Sequence, residues 1–62
     1  MEITKENRKF YIRKVAQEML DFEIKASQEY GYTIARDRIY ASILDDVSRY
    51  WNDKQIIEFL EG

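Results

Sequence analysis

The side chains of this chain that could take part in a reaction are mainly carboxylates, because the sequence contains no histidine and no cysteine. Without those residues, the Ser–His and Cys–His pairs that activate a nucleophile cannot form, and neither can histidine-ligated zinc or di-iron sites. Glu18 and Asp21 are three residues apart, a spacing that lets two carboxylates of one helix share a magnesium ion. A second helix would have to add ligands, but Asp45 and Asp46 would point about 100° apart. We therefore predict solvated surface carboxylates, no metal, no cofactor and no enzymatic activity.

Length and composition limit the class of protein. A chain of 62 residues corresponds to one domain, residues 1–62, near the lower limit for an independent core. Its 45% hydrophobic and 15% aromatic content is too high for a disordered chain. The absence of cysteine excludes a disulfide framework and favours a reducing, cytoplasmic location. No segment reaches the roughly 18 apolar residues of a membrane span, and no signal-peptide pattern is present.

The longest predicted element lies at the start of the chain. Residues 4–30 contain neither proline nor glycine, and they are followed by Gly31. Thr4 is a suitable N-cap, and Gly31 fits the left-handed position after a helix end. The sequence therefore predicts one helix over residues 4–30. At 100° per residue its main apolar stripe contains Tyr11, Ile12, Val15, Ala16, Met19, Phe22, Ala26 and Tyr30.

Two shorter helices are predicted in the second half. The first runs over residues 34–51 with Thr33 as its N-cap. The last begins after Asn52, because Asn52 and Gln55 have the spacing of a capping box. The predicted fold is all-α, a small three-helix fold in which the two shorter helices pack back along the long N-terminal helix. The predicted core contains Val15, Met19, Phe22, Tyr40, Leu44, Val47, Trp51, Ile56 and Leu60.

A second apolar stripe on the long helix is the most unusual feature of the pattern. Phe10, Leu20 and Ile24 point away from the main stripe, with Gln17 between Phe10 and Ile24 at heptad spacing. We predict that these four residues form a partner-binding surface. Three interpretations stay open: isolated exposure or cover by the N-terminal residues, a homodimer seam, and a site for another protein.

The charge is distributed unevenly along the chain. Between residues 5 and 14 five cations accompany one carboxylate: Lys5, Arg8, Lys9, Arg13 and Lys14. Such a cluster with an interleaved aromatic residue resembles a nucleic-acid-binding patch. An acidic protein surface would also fit it, but pairing within the molecule explains the uneven charge without any partner. In the latter case, the cations would offset Asp45, Asp46, Glu58 and Glu61 at the ends of the second and third helices.

These observations predict a small non-enzymatic protein-binding module, a regulator or inhibitor that acts through a helical face. The composition is similar to that of short helical regulators encoded by phages and plasmids, which is an analogy of composition alone. The alternative is a nucleic-acid-binding regulator that uses the basic start of the first helix. The expected partner is a protein, a second copy of the chain included, and no membrane is involved.

Overall fold

The computed structural model describes the whole chain from Met1 to Gly62 as three helices. They are α1 (Arg8–Tyr30), α2 (Arg36–Tyr50) and α3 (Asp53–Glu61). Helices contain 76% of the residues and there are no strands, which confirms the predicted all-α class with one long helix and two shorter ones. The molecule measures 39 × 22 × 16 Å, so α1, about 35 Å long, sets its longest dimension.

The start of α1 differs from the prediction. The helix begins at Arg8, four residues later than expected, and residues 5–7 form a turn ahead of it. The Thr4 N–H donates to Oδ1 of Asn7 at 2.7 Å, and the Asn7 N–H donates to Oγ1 of Thr4 at 3.3 Å. Thr4 thus caps a preceding turn with the reciprocal bonding of a capping box, and the helix proper follows it.

The loop between α1 and α2 is only partly as predicted. Gly31 adopts the expected left-handed conformation, with φ of +74°, and its N–H donates to the Ser27 carbonyl. A side chain rarely tolerates this backbone conformation, which explains the glycine. The prediction that Thr33 caps α2 is wrong, because the chain stays irregular to Ala35 and α2 starts without a side-chain cap.

The turn between α2 and α3 follows the sequence signal closely. Oδ1 of Asn52 accepts from the Gln55 N–H at 2.8 Å, and Oε1 of Gln55 accepts from the Asn52 N–H at 2.8 Å. The predicted capping box is therefore confirmed. Because two unpaired N–H groups are satisfied at once, α3 can begin shortly after α2 ends.

The two shorter helices lie on different sides of α1. Met19 and Ile39 line one groove between α1 and α2, whereas Ile12 and Ser48 line another, so α2 runs antiparallel to α1. Arg8 pairs with Asp53 at the start of α3, and Phe22 of α1 lies beside Leu60 near its end. The helix α3 therefore runs in the same direction as α1, along another side.

The core is small and centred on four residues. Ile12, Val15, Val47 and Ile56 form the buried cluster, and three of them belong to the predicted core. The predicted members Met19, Leu44, Trp51 and Leu60 are half-buried and pack against this cluster. Tyr40 is half-buried outside it. The prediction for Phe22 is wrong, because its side chain is 69% exposed.

Candidate functional site

The four residues of the predicted partner surface on α1 differ in burial. Leu20 is only 7% exposed, so the prediction that it points away from the core is wrong. Ile24 is half-buried, whereas Phe10 is 54% exposed. Gln17 is exposed, and its Nε2 donates to Oδ1 of Asp21 at 3.0 Å. Of the four residues, only Phe10 and Gln17 are exposed to solvent.

The position of the buried face on α1 explains this difference. Ala16, Leu20 and Ser27 are all buried and lie within about 40° of one another on the α1 helical wheel. The hydroxyl of Ser27 donates to the Ile24 carbonyl at 2.7 Å, so this buried polar group is satisfied. The covered face of α1 is therefore rotated from the predicted stripe towards Leu20, and Phe22 at the opposite edge is left uncovered.

The uncovered edge of α1 forms a groove with the end of α3. Phe22 lies there beside Phe59 and Leu60, which are both half-buried, and we call these three residues the aromatic groove. The groove has a volume of about 520 Å³ and is the largest in the structure. Glu18, Asp21, Lys25 and Gly62 complete its lining. An apolar floor with a charged rim is the composition typical of a protein-binding surface.

Phe10 is a second exposed ring, about three turns before Phe22 on α1. Its ring packs edge-to-face on Tyr11, with the centroids 5.3 Å apart. Nζ of Lys14 lies 5.3 Å from the centroid of the Phe10 ring, within the range of a cation–π contact. These contacts hold the Phe10 ring between an aromatic neighbour and a cation while half of its surface stays accessible to solvent.

The five cations near the start of α1 have different environments. Nε of Arg8 is 3.0 Å from Oδ1 of Asp53, and its Nη2 donates to the Trp51 carbonyl at 2.9 Å. Arg8 thus offsets the negative end of α2, as pairing within the molecule requires. The other four take part in none of the ion pairs: Lys5, Lys9, Arg13 and Lys14. Intramolecular pairing therefore accounts for Arg8 but not for the remaining charge.

The acidic residues expected to balance these cations have other partners. Asp45 pairs with Arg49 at 2.9 Å, four residues further along α2. Glu58 approaches Lys54 at 4.0 Å in the same way, and Glu61 pairs with the amino group of Met1 at 3.1 Å. Asp46 is exposed and forms no ion pair. Most of the carboxylates at the ends of α2 and α3 are thus paired within their own helix or with the amino group of Met1.

The carboxylates considered for chemistry are not gathered into a metal site. Glu18 and Asp21 both line the rim of the aromatic groove and are exposed. No cluster of three or more acidic, histidine or cysteine side chains lies close enough together to hold a metal ion. No buried side-chain nitrogen or oxygen lacks a hydrogen-bond partner. None of the three helices combines the length and apolar character that crossing a membrane requires.

Comparisons with known proteins place the chain in no group. No protein-family model, curated protein or solved structure matches it.

Proposed function

We propose that the chain is a non-enzymatic protein-binding module, a regulator or inhibitor, that binds a protein through the aromatic groove. The observation that supports this most directly is the exposure of Phe22, 69% of which is accessible beside Phe59 and Leu60. Binding energy at protein interfaces concentrates in a few residues, among which aromatic side chains are enriched. A chain of this size gains much from covering such a ring, because its own core is small.

The rim of the groove indicates the chemistry of the partner. Glu18 and Asp21 are exposed and form no ion pair, and Lys25 is the one cation in the lining. A bound segment with an apolar anchor and flanking basic residues would therefore find complementary charge. Because charges at the edge of an interface mainly affect association rate and specificity, we expect Phe22 to supply more affinity than the rim.

Capture from a lysate of the source cell tests the proposal. Tagged wild-type protein is compared with the Phe22→Lys variant, which places a charge in the groove without touching the buried cluster. Tyr50→Lys is the matched control, because Tyr50 is 75% exposed at the far end of α2. We expect the same proteins with wild type and control, and their loss with Phe22→Lys. Equal capture by all three forms, or capture of nothing specific by wild type, would contradict the proposal.

A nucleic-acid-binding regulator is the second candidate function, supported by the cations without an ion pair. Lys9 and Arg13 line a groove of about 290 Å³ beside Ser48 of α2. Lys14, however, lies about 100° or more from both around α1, and Arg8 is held by Asp53. Binding through four phosphates would weaken by roughly 100-fold between 50 and 200 mM salt. Absence of a mobility shift with DNA and RNA at low salt would remove this candidate.

A further inference from the structure

The exposed side of α1 carries an ordered series of groups that no ion pair within the chain satisfies. We define the outer face of α1 as Phe10, Lys14, Glu18, Asp21 and Phe22, all of which are exposed; Lys25, one turn beyond Asp21 on the same side, is exposed as well. Lys14 lies nearer the start of the helix, and Glu18 and Asp21 lie nearer its end. None of the three takes part in an ion pair, although Lys14 and Glu18 are only one turn apart. An exposed ring stands at each end of this charged stretch.

The molecule also has more surface than its mass requires. It exposes 4899 Å², whereas a compact monomer of 7.5 kDa exposes roughly 4,250 Å². Its radius of gyration is 12.6 Å, against roughly 10.6 Å for a typical compact domain of 62 residues. The excess surface, roughly 650 Å², approaches the roughly 800 Å² that each partner buries in a standard interface.

We infer that a second copy of this chain covers the outer face, with the two α1 helices antiparallel about a two-fold axis near Gln17. The inference rests on the proposed function, since it names the protein that binds beside Phe22. Antiparallel pairing about this axis places Lys14 of each copy next to Glu18 and Asp21 of the other, and it brings Lys25 level with the Phe10 ring of the other copy. Parallel pairing would instead place like charges together, which is unfavourable.

A two-fold axis relates the two copies, so both copies make the same contacts. Each contact of Lys14 with a carboxylate occurs twice, so any gain or loss of complementarity is counted twice in the dimer. The Phe10 and Phe22 rings of both copies lie on the covered side, where they contribute apolar area at both ends of the charged centre. The interface would be at the small end of the usual range, where weak and transient complexes are found, so we expect association in the micromolar range.

Sedimentation equilibrium of charge-exchanged variants tests the inference. We expect wild type to reach twice the 7.5 kDa monomer mass at micromolar concentration. Lys14→Glu alone, and Glu18→Lys alone, should each raise the dissociation constant at least about tenfold, because like charges then meet twice. The triple variant Lys14→Glu/Glu18→Lys/Asp21→Lys restores opposite charges at both contacts and should dimerise again. Tyr50→Lys, at the far end of α2, should dimerise like wild type.

Each outcome separates this inference from the proposed function. A wild-type protein that stays monomeric at hundreds of micromolar would overturn the dimer, and so would a triple variant that fails to regain it while remaining helical by circular dichroism. If the purified protein is monomeric but capture from lysate still depends on Phe22, the dimer fails and the proposed function stands. If the dimer forms as described but no other protein is captured, the inference stands and the role as regulator or inhibitor fails.

Discussion

Replacing Trp51 by alanine is expected to lower the free energy of unfolding by about 3–5 kcal/mol, the usual cost of emptying a large aromatic site. Trp51 joins α2 to α3, packs against the buried cluster, and stacks edge-to-face on Phe59 with a centroid distance of 5.7 Å. Its main-chain carbonyl accepts the hydrogen bond from Arg8, an acceptor that the substitution leaves in place. Because a domain of this size commonly has only about 3–5 kcal/mol of stability, the variant should be largely unfolded.

Urea denaturation followed by circular dichroism measures this effect. Tyr50→Ala is the matched control, since Tyr50 is the preceding residue but 75% of its surface is exposed. Its free energy of unfolding should stay within about 0.5 kcal/mol of wild type. If the free energy of unfolding of Trp51→Ala stays within about 1 kcal/mol of wild type, Trp51 does not hold the three helices together as the packing indicates.

A second large effect is expected at Leu20, where structure and sequence pattern disagree. Leu20→Ala should cost about 2–5 kcal/mol, because the leucine is 7% exposed and its removal leaves a cavity. Phe22→Ala should cost less than about 1 kcal/mol, because 69% of its side chain is already in water. Both changes in the free energy of unfolding are to be measured by urea denaturation at low protein concentration. Self-association then does not add to the stability of wild type.

The comparison of Leu20→Ala with Phe22→Ala is decisive, because the sequence pattern predicts the opposite order of the two losses of stability. It places Phe22 in the core and Leu20 on a binding surface. A larger loss of stability for Phe22→Ala than for Leu20→Ala would therefore support the α1 faces that the sequence pattern predicts, and it would contradict the packing described above.

Features of the fold that depend on neighbouring residues are predictable from sequence. The left-handed position of Gly31 and the capping box of Asn52 and Gln55 are set by residues within one turn of each other. Val15, Val47 and Ile56 are fully buried as expected, since each lies near the middle of an apolar stripe. Such residues stay covered when a neighbouring helix shifts by part of a turn.

Features that depend on the placement of a second helix are not predictable in the same way. Apolar residues surround much of α1, so its pattern does not determine which edge α2 will cover. A rotation of the covered face by part of a turn exchanges Leu20 and Phe22 between inside and outside. The predicted start of α2 is wrong for a local reason: Thr33 is a good cap by type, but the chain stays irregular to Ala35, which is extended.

Only part of the candidate site can be predicted from the sequence, for the same reason. The exposure of Phe10 agrees with the sequence pattern, because this residue lies far from the main apolar stripe of α1. The aromatic groove is not apparent in the sequence, because it needs Phe22 of α1 and Phe59 of α3 to meet, and nothing in either segment alone indicates this. The imbalance of charge is visible in the sequence, but the pairing of Arg8 with Asp53 requires the fold.

The most direct measurement is the rate at which single introduced thiols react with a labelling reagent in the folded protein. The chain has no cysteine of its own, so Leu20→Cys and Phe22→Cys each provide one unambiguous probe. At protein concentrations well below the micromolar range, where the chain is monomeric, we expect the Phe22→Cys thiol to react nearly as fast as in urea. The Leu20→Cys thiol should react roughly 100-fold or more slowly, because it becomes accessible only when the helices open. Equal rates, or a protected Phe22→Cys thiol beside a reactive Leu20→Cys thiol, would show that α2 covers the other edge of α1 and that the aromatic groove is not the open surface.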